Sequence, residues 1–149
     1  MEPSGSSLED TRVSVLTRER AVAEWDVLAP FFEQAIPYTC GRRDIDDVRD
    51  CVDDGNGLVI IAWNPDASEI YATFLAECLQ YPKKRVMSLT LCGGGSIALW
   101  KHLYPAIVHV AESMGFDQLE VVGRPGWSKI VGADKETSRM FVEELNGGK

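Results

Sequence analysis

Three apolar runs of strand length constrain the fold of this chain more than any other feature. They cover residues 58–63, 69–80 and 86–91, and each of the two turns between them contains a proline. Runs that are rich in β-branched and aromatic residues and bounded by turn residues are typical of β-strands. Because short turns join antiparallel neighbours, the sequence predicts a three-stranded antiparallel meander.

Amphipathic helices are predicted on both sides of this meander. Upstream, apolar residues recur every three or four positions over residues 18–36, and Pro30 is expected to kink or split that helix. A second helix is expected over residues 45–53. Downstream, residues 97–114 carry a broad apolar face. Pro105 lies within this stretch and could mark the first position of the main helix, after a separate turn.

Short flanking elements complete the predicted order. Residues 12–16 and 119–122 have the character of strands, and a short helix is expected to end at Val131. Residues 137–145 are expected to form a last strand with three packed apolar residues, Met140, Val142 and Leu145.

The totals indicate one globular domain. The chain has 149 residues, of which 45% are hydrophobic and 26% charged. We expect a flexible N-terminal arm at residues 1–12, a single domain at 13–145 and a tail at 146–149. No apolar run approaches the roughly 18 residues that span a membrane, and the first ten residues lack a signal-peptide pattern. A cytoplasmic protein without membrane contact is therefore expected.

The charge of the chain argues against nucleic acid as a partner. The net charge is −8, and six aspartates fall between Asp44 and Asp54. Nonspecific binding to nucleic acid requires positive charge to neutralise phosphates, so no direct binding is expected. The four cysteines and two histidines show no metal-ligand spacing, so no metal site is predicted.

The meander ends in a run of three glycines, Gly93, Gly94 and Gly95, followed by Ser96 and a helix. This run is expected to form a turn. Glycine tolerates positive φ and lets a backbone approach another group closely. A glycine turn that leads into a helix can also aim main-chain N–H groups at an anion. The run is therefore either an anion site or a simple turn.

Two further side-chain groups invite a chemical interpretation. Cys92, beside the glycines, could act as a nucleophile with His102 or His109 as its base, although nothing else in the sequence supports this. Arg124 could bind a carboxylate or phosphate, or it could bridge main-chain carbonyls within its turn.

The element order and three local segments resemble a known family. The segments are Leu91–Trp100, Ala111–Phe116 and Gly123-Arg124-Pro125-Gly126-Trp127. Together they resemble the GNAT (Gcn5-related N-acetyltransferase) superfamily, and most closely the acetyltransferase-like proteins of bacteriophages, some of which are internal virion proteins. The resemblance implies an α/β (α+β) fold with a mixed, mainly antiparallel sheet flanked by helices.

The resemblance also implies a cofactor site. In active GNAT enzymes acetyl-CoA lies between the fourth and fifth strands, here residues 86–91 and 119–122. The cofactor-binding residues would be Leu91, Gly93, Gly94, Gly95 and Ser96. The family's phosphate loop begins with Gln or Arg, and no such residue stands at that position in this chain.

Acetyl transfer further requires a base for the amine and an acid for the departing thiolate. Glu77 and Glu120 are the candidate catalytic bases, acting through water. The family's usual acid is a tyrosine on the helix after the fifth strand. This chain has Trp127, Ser128 and Lys129 there instead.

Two functions are compatible with these residues. The first is a non-catalytic or degenerate acetyltransferase-like structural component of a phage particle, without cofactor, in contact with other virion proteins and packaged from the cytoplasm. The alternative is an acetyl-CoA-dependent N-acetyltransferase that modifies an amine on a protein or small molecule. The altered phosphate loop and the missing tyrosine favour the first, and the superfamily's general chemistry favours the second.

Overall fold

The computed structural model describes residues 10–66, 68–122, 125–138 and 140–145. Its strands are β1 Arg12–Leu16, β2 Gly57–Asn64, β3 Glu69–Gln80, β4 Arg85–Gly94 and β5 Gln118–Val121. Its helices are α1 Arg18–Ala23, α2 Trp25–Glu33, α3 Ile45–Asp53, α4 Ile97–Ser113 and α5 Ser128–Val131. Single 3-10 turns occupy Ile36–Tyr38, Pro125–Trp127 and Ala133–Lys135.

The strands form one mixed sheet in the order β1-β2-β3-β4-β5. Neighbouring strands from β1 to β4 are antiparallel to one another, and β5 is parallel to β4. The crossover between the two parallel strands is α4, since parallel neighbours need a long connection. The predicted antiparallel meander and the mixed, mainly antiparallel sheet are both confirmed.

Helices cover both faces of the sheet. On the α4 face, buried residues of β2, β3 and β4 pack with Trp100, Leu103 and Ile107 of α4. On the opposite side, which we call the α3 face, Val59, Leu75 and Leu91 lie in one cluster with residues from α1, α2 and α3. Since both faces are covered, β2 and the middle of β3 carry almost continuous apolar sequence.

A β-bulge in β4 determines which side chains reach each face. Leu75 pairs with Leu91, whereas Ala76 pairs with Leu89, so Thr90 has no register partner on β3, although its hydroxyl donates to the Leu75 carbonyl at 3.5 Å. The extra residue places Leu89 on the α4 face and Leu91 on the α3 face. This explains why two leucines only two residues apart lie on opposite faces of the sheet.

Neither interior proline divides a helix. The first predicted helix breaks at Glu24, before Pro30, and α4 runs continuously through Pro105. A proline leaves the carbonyl four residues earlier without its helical partner. Both prolines and both of those earlier residues, Asp26 and Lys101, are exposed, so water can bind the freed carbonyls.

The glycine run differs from its predicted form. Gly93 and Gly94 belong to β4, and only Gly95 and Ser96 separate the strand from α4. Gly94 and Gly95 have φ of 78° and 75°, values that side-chain-bearing residues rarely adopt. The connection is thus a two-residue turn at the end of an extended strand.

The predicted last strand is wrong for the described residues of that segment. Residues 137–138 and 140–145 carry no strand, and the side chains of Met140, Val142 and Leu145 are exposed instead of packed. These three residues are not hydrogen-bonded to any described strand of the sheet. Most of the predicted N-terminal arm and the tail at 146–149 lie outside the described residues.

Candidate active site

The parallel pairing of β4 and β5 ends before β4 does. Register pairs run from Val86–Gln118 to Leu89–Val121, and the Val122 N–H donates to the Leu89 carbonyl at 3.1 Å. β4 then continues for five residues, from Thr90 to Gly94. Among the described residues, only β3 pairs with this part of β4. No described strand lies along its other edge, where a further strand or a ligand could pair with the main chain.

The first two glycines fit tightly against neighbouring elements of the protein. A Cβ on Gly93 would lie 1.8 Å from the Phe31 carbonyl oxygen, so α2 approaches β4 over a residue without a side chain. A Cβ on Gly94 would meet the Tyr71 carbonyl oxygen at 2.6 Å. Close packing therefore accounts for both residues without any ligand.

Gly95 and Ser96 form the turn into α4. A Cβ on Gly95 would lie 2.9 Å from the Trp100 ring, which is buried against Phe74. The Ser96 hydroxyl accepts a hydrogen bond from the Leu99 N–H at 3.2 Å and so caps α4. The cap takes one of the N–H groups that an anion at this helix end would otherwise use.

Three polar side chains lie side by side on the α3 face of the sheet. Ser88 of β4 is in register with Glu77 of β3 on one side and with Glu120 of β5 on the other. Side chains opposite one another on neighbouring strands are roughly 5 Å apart at their Cβ atoms. We call Glu77, Ser88 and Glu120 the polar row. It joins the two glutamates that the sequence predicts as bases.

The two glutamates have different partners. Both carboxylate oxygens of Glu77 accept hydrogen bonds from Arg43 Nη2, at 3.1 and 2.9 Å. The side chains of this pair are only 31% and 19% exposed. Within the described residues, Glu120 instead accepts one hydrogen bond, 2.7 Å long, from the hydroxyl of the fully buried Ser88. Glu77 is held by a cation, whereas Glu120 is bonded to a neutral group.

Cys51 of α3 also contacts the polar row. Its Sγ lies 3.7 Å from Glu77 Oε1 and is placed to donate a weak hydrogen bond. Burial raises the pKa of the Cys51 thiol, and the charge of Glu77 raises it further. The group is therefore a neutral thiol at neutral pH and a poor nucleophile.

A shallow depression of about 310 Å³ lies next to Arg43 in the chain. It is formed where α2 ends and α3 begins, and its lining residues are Glu33, Ile36, Pro37, Asp44 and Ile45. Asp44 also caps α3 in a reciprocal pair with Asp47. The depression combines an apolar wall with negative charge, a combination that suits a cationic organic group.

Other candidates from the sequence lie away from the polar row. Cys92 packs against the α4-face core, and His102 and His109 are exposed on α4, so the cysteine–histidine interpretation gains no support. Arg124 lies outside the described residues. No group of acidic, cysteine and histidine residues that could hold a metal occurs in the part of the chain that the structure describes.

The segment after β5 contributes an aromatic stack where the family's acid would be expected. The Trp127 ring stacks on Trp100 with ring centroids 6.1 Å apart. An indole N–H does not ionise usefully and cannot protonate a thiolate. The stack joins the 3-10 turn after β5 to the first turns of α4.

Solved structures of acetyltransferases share this architecture. No protein-family profile and no curated protein matches the sequence. A probable acetyltransferase is 13% identical with a TM-score of 0.64, and the match covers 91% of this chain and 95% of that one. The chain has the GNAT fold. In this chain, that fold includes the strand order, the bulge in β4 and the separation of β4 from β5 that are described above.

Two further neighbours carry more specific descriptions. An aminoglycoside acetyltransferase from an uncultured soil metagenomic sample, in complex with sisomicin, is 14% identical with a TM-score of 0.63. That match covers 93% of this chain and 98% of the other. A ribosomal-protein-alanine N-acetyltransferase from Brucella melitensis biovar Abortus 2308 is 14% identical with a TM-score of 0.59, covering 91% and 96%. The phage subtype predicted from the sequence gains no support from these structures.

Sequence reasoning missed three residues of this site. Ser88 lies in an apolar strand and has no motif around it, and Arg43 and Cys51 belong to distant segments. The one signal in the sequence was that Ser88, a polar residue, interrupts the apolar run of β4, which indicates a polar side chain on one face of the sheet. In addition, no helix in the described ranges is both long and apolar enough to cross a bilayer.

Proposed function

We propose that this protein is an acetyl-CoA-dependent N-acetyltransferase that acts on a primary amine. The observation that carries the proposal is the position of Glu120 within the β4–β5 pair, one residue before the pairing ends and leaves the β4 edge without a described neighbour. The fold of its structural neighbours supports the same reaction class. Of the two functions predicted from the sequence, we therefore favour the N-acetyltransferase over the virion component.

The residues at the open edge fit acetyl-CoA. Beyond Leu89, the side of β4 that faces away from β3 is not covered by any described strand, and its main chain can hydrogen-bond an amide-containing arm as a strand would. Next to it, the start of α4 offers main-chain N–H groups and a positive helix dipole for a pyrophosphate. Leu91, Gly93, Gly94, Gly95 and Ser96 would thus hold the cofactor through their main chains. Bound acetyl-CoA would supply an activated acetyl thioester.

Glu120 is the proposed base. An acceptor amine must lose a proton before its lone pair can attack, and a carboxylate within reach, directly or through water, can accept that proton. The Ser88 hydrogen bond fixes one oxygen of Glu120, and no described residue engages the other. Glu77 is less suitable because Arg43 engages both of its oxygens. We assign Glu77 to positioning Arg43 and Cys51 around the polar row.

The acceptor is proposed to approach along the α3 face, where Glu120 lies. Negative charge at Glu33 and Asp44, on the depression that adjoins Arg43 in the chain, favours a cationic amine over an anionic one. No tyrosine follows β5 in the described segment, so the departing thiolate would take its proton from water or from the attacking nitrogen, which still has a proton to lose once the C–N bond has formed.

A second candidate is a GNAT-fold protein without transferase activity, including the virion component expected from the sequence. The specific observation in its favour is that Phe31 and Trp100 fill the space beside Gly93 and Gly95, which glycine would otherwise leave for a ligand. The two candidates differ in whether acetyl-CoA binds.

Calorimetric titration with acetyl-CoA tests the proposal. Binding is expected in the micromolar range, together with a thermal shift. Ala98→Glu, which adds a negative charge to the exposed first turn of α4, should weaken binding at least tenfold because it repels the phosphates. Ala106→Glu, on an exposed position farther along the same helix, is the matched control. Absence of heat and of a thermal shift at millimolar acetyl-CoA would reject the enzyme and leave the second candidate.

A further inference from the structure

The acidic residues of this chain are distributed very unevenly along its sequence. All 23 of them lie outside residues 78–111 and 121–133. The first of these ranges contains β4 and most of α4, and the second contains the segment after β5 together with α5. Both ranges nevertheless carry lysine, at Lys101 of α4 and at Lys129 of α5. A chain with a net charge of −8 therefore keeps negative side chains out of these two segments.

The fold brings the two acid-free segments together. Trp127 stacks on Trp100 with ring centroids 6.1 Å apart, and Ile130 of α5 packs against the same buried cluster as α4. Lys101 follows one of the stacked tryptophans by one residue, and Lys129 follows the other by two. The two lysines thus lie on neighbouring helices, and both of their side chains are exposed.

The charges of these two lysines are not neutralised within the described part of the chain. No ion pair there includes Lys101 or Lys129. The acidic residues at this end of the sheet, Asp66 and Glu69, belong to the connection from β2 to β3, whereas α5 follows β5 on the other side of β4. Two cations without a paired carboxylate make the local potential positive and so favour an anionic ligand.

We propose that Lys101 and Lys129 bind the 3′-phosphate on the ribose of coenzyme A. The inference rests on the proposed function, in which the start of α4 holds the pyrophosphate of the same cofactor. A phosphomonoester carries roughly two negative charges at neutral pH, and lysine binds phosphate as a point charge on a flexible stem. No Gln or Arg begins the glycine run, so these two lysines supply positive charge from outside it.

Calorimetric titration with coenzyme A and with 3′-dephospho-coenzyme A tests the assignment. The wild type should bind coenzyme A roughly tenfold more tightly, because only this ligand carries the additional charged group. Lys101→Met and Lys129→Met should each reduce this preference, and the double variant should abolish it, while the affinity for 3′-dephospho-coenzyme A stays nearly constant. Lys84→Met, at an exposed position in the turn at the other end of β4, is the matched control and should keep the preference.

The salt dependence of binding gives an independent measurement. Added salt should weaken the binding of coenzyme A more than that of 3′-dephospho-coenzyme A, because it screens the contacts to the extra phosphate. Lys129→Arg, which keeps the positive charge, should retain both the preference and this difference. Circular dichroism should show the same fold for every variant, since all of the substituted positions are exposed.

The comparison also separates two kinds of failure. Equal affinities of the wild type for the two ligands, or a preference that survives in the double variant, would overturn the 3′-phosphate assignment and leave the proposed transferase intact. If neither ligand binds to the wild type, the proposed function fails, and the assignment of the two lysines fails with it.

Discussion

The Ser88 hydroxyl and the Glu120 carboxylate are joined across the parallel β4–β5 pair by a hydrogen bond of 2.7 Å. Ser88 is fully buried and Glu120 is half-buried, so the bond lies where the sheet meets solvent. A hydroxyl donating to a carboxylate forms a short, charge-assisted bond that fixes the acceptor's orientation. The candidate base is thus positioned by a neighbouring strand, which is more rigid than a loop.

Replacing Glu120 with glutamine should lower kcat by roughly 10²–10⁴-fold, because the amide cannot accept the proton of the acceptor amine. The measurement is a thiol-release assay with acetyl-CoA and a panel of cationic amines. Acetyl-CoA binding should be unchanged by calorimetry. Glu112→Gln, at an exposed position of α4, is the control. An unchanged kcat for Glu120→Gln would remove Glu120 from the mechanism.

Arg43→Met should destabilise the fold by roughly 1–3 kcal/mol, because it leaves the largely buried Glu77 carboxylate without its cation. Adding Glu77→Gln to this variant should recover part of the loss. Arg20→Met breaks the exposed Arg20–Glu24 ion pair and should have little effect on stability. Urea denaturation measures all of these variants. Equal losses for Arg43→Met and Arg20→Met would contradict the distinction.

Gly93→Ala should destabilise the protein by roughly 2–3 kcal/mol, because the new methyl group would collide with the Phe31 carbonyl. Gly55→Ala isolates the conformational part of such a change. Gly55 has φ of 80° with nothing within 4 Å, and its substitution should cost only about 1 kcal/mol. The comparison uses urea denaturation midpoints at equal m-values. A smaller loss at Gly93 would show that α2 moves away easily.

Cys51 should react with a thiol reagent more slowly than Cys40 and Cys78, which are exposed. Burial and the Glu77 charge raise its pKa, so less thiolate is present at any pH near 8. Its rate should rise in Glu77→Gln, because the carboxylate charge is gone. Mass spectrometry of partially alkylated protein measures each site.

The same pKa shift predicts a dependence of stability on pH. Because the folded thiol has a higher pKa than the unfolded one, its contribution is fully present below the unfolded pKa. It decreases as pH rises through the folded pKa. Cys51→Ser should therefore flatten the loss of stability above pH 8. An identical slope in wild type and variant would contradict this assignment.

The elements with strong local signals were predictable from the sequence. The strand-length apolar runs of the meander and the capped helix after Asp44 appear where expected, because their patterns need no distant partner. The paths of the chain through Pro30 and Pro105 were less predictable. Both helices continue through their prolines because Asp26 and Lys101 are exposed to solvent, and this exposure depends on the assembled fold.

The site was only partly predictable. Glu77 and Glu120 could be named, but their adjacency depends on the register of three strands, which no local pattern encodes. The difference between them comes from Arg43, which lies 34 residues from Glu77 in sequence. The three glycines were noticed for their freedom to admit a ligand, whereas two of them are required by contacts with Phe31 and Tyr71.

The extra residue at Thr90 has a consequence for how this chain can change in length. Deleting Thr90 would restore a regular ladder and leave Leu89 opposite Ala76 and Leu91 opposite Leu75, so both side chains would keep their faces. Inserting a further residue into β4 would instead require a second bulge, or would turn the side chains on one side of the insertion to the other face. Natural variants should therefore accumulate insertions in the turns at 64–68 and 81–84, whereas the span from Met87 to Gly95 can lose the residue at Thr90 but should not gain one.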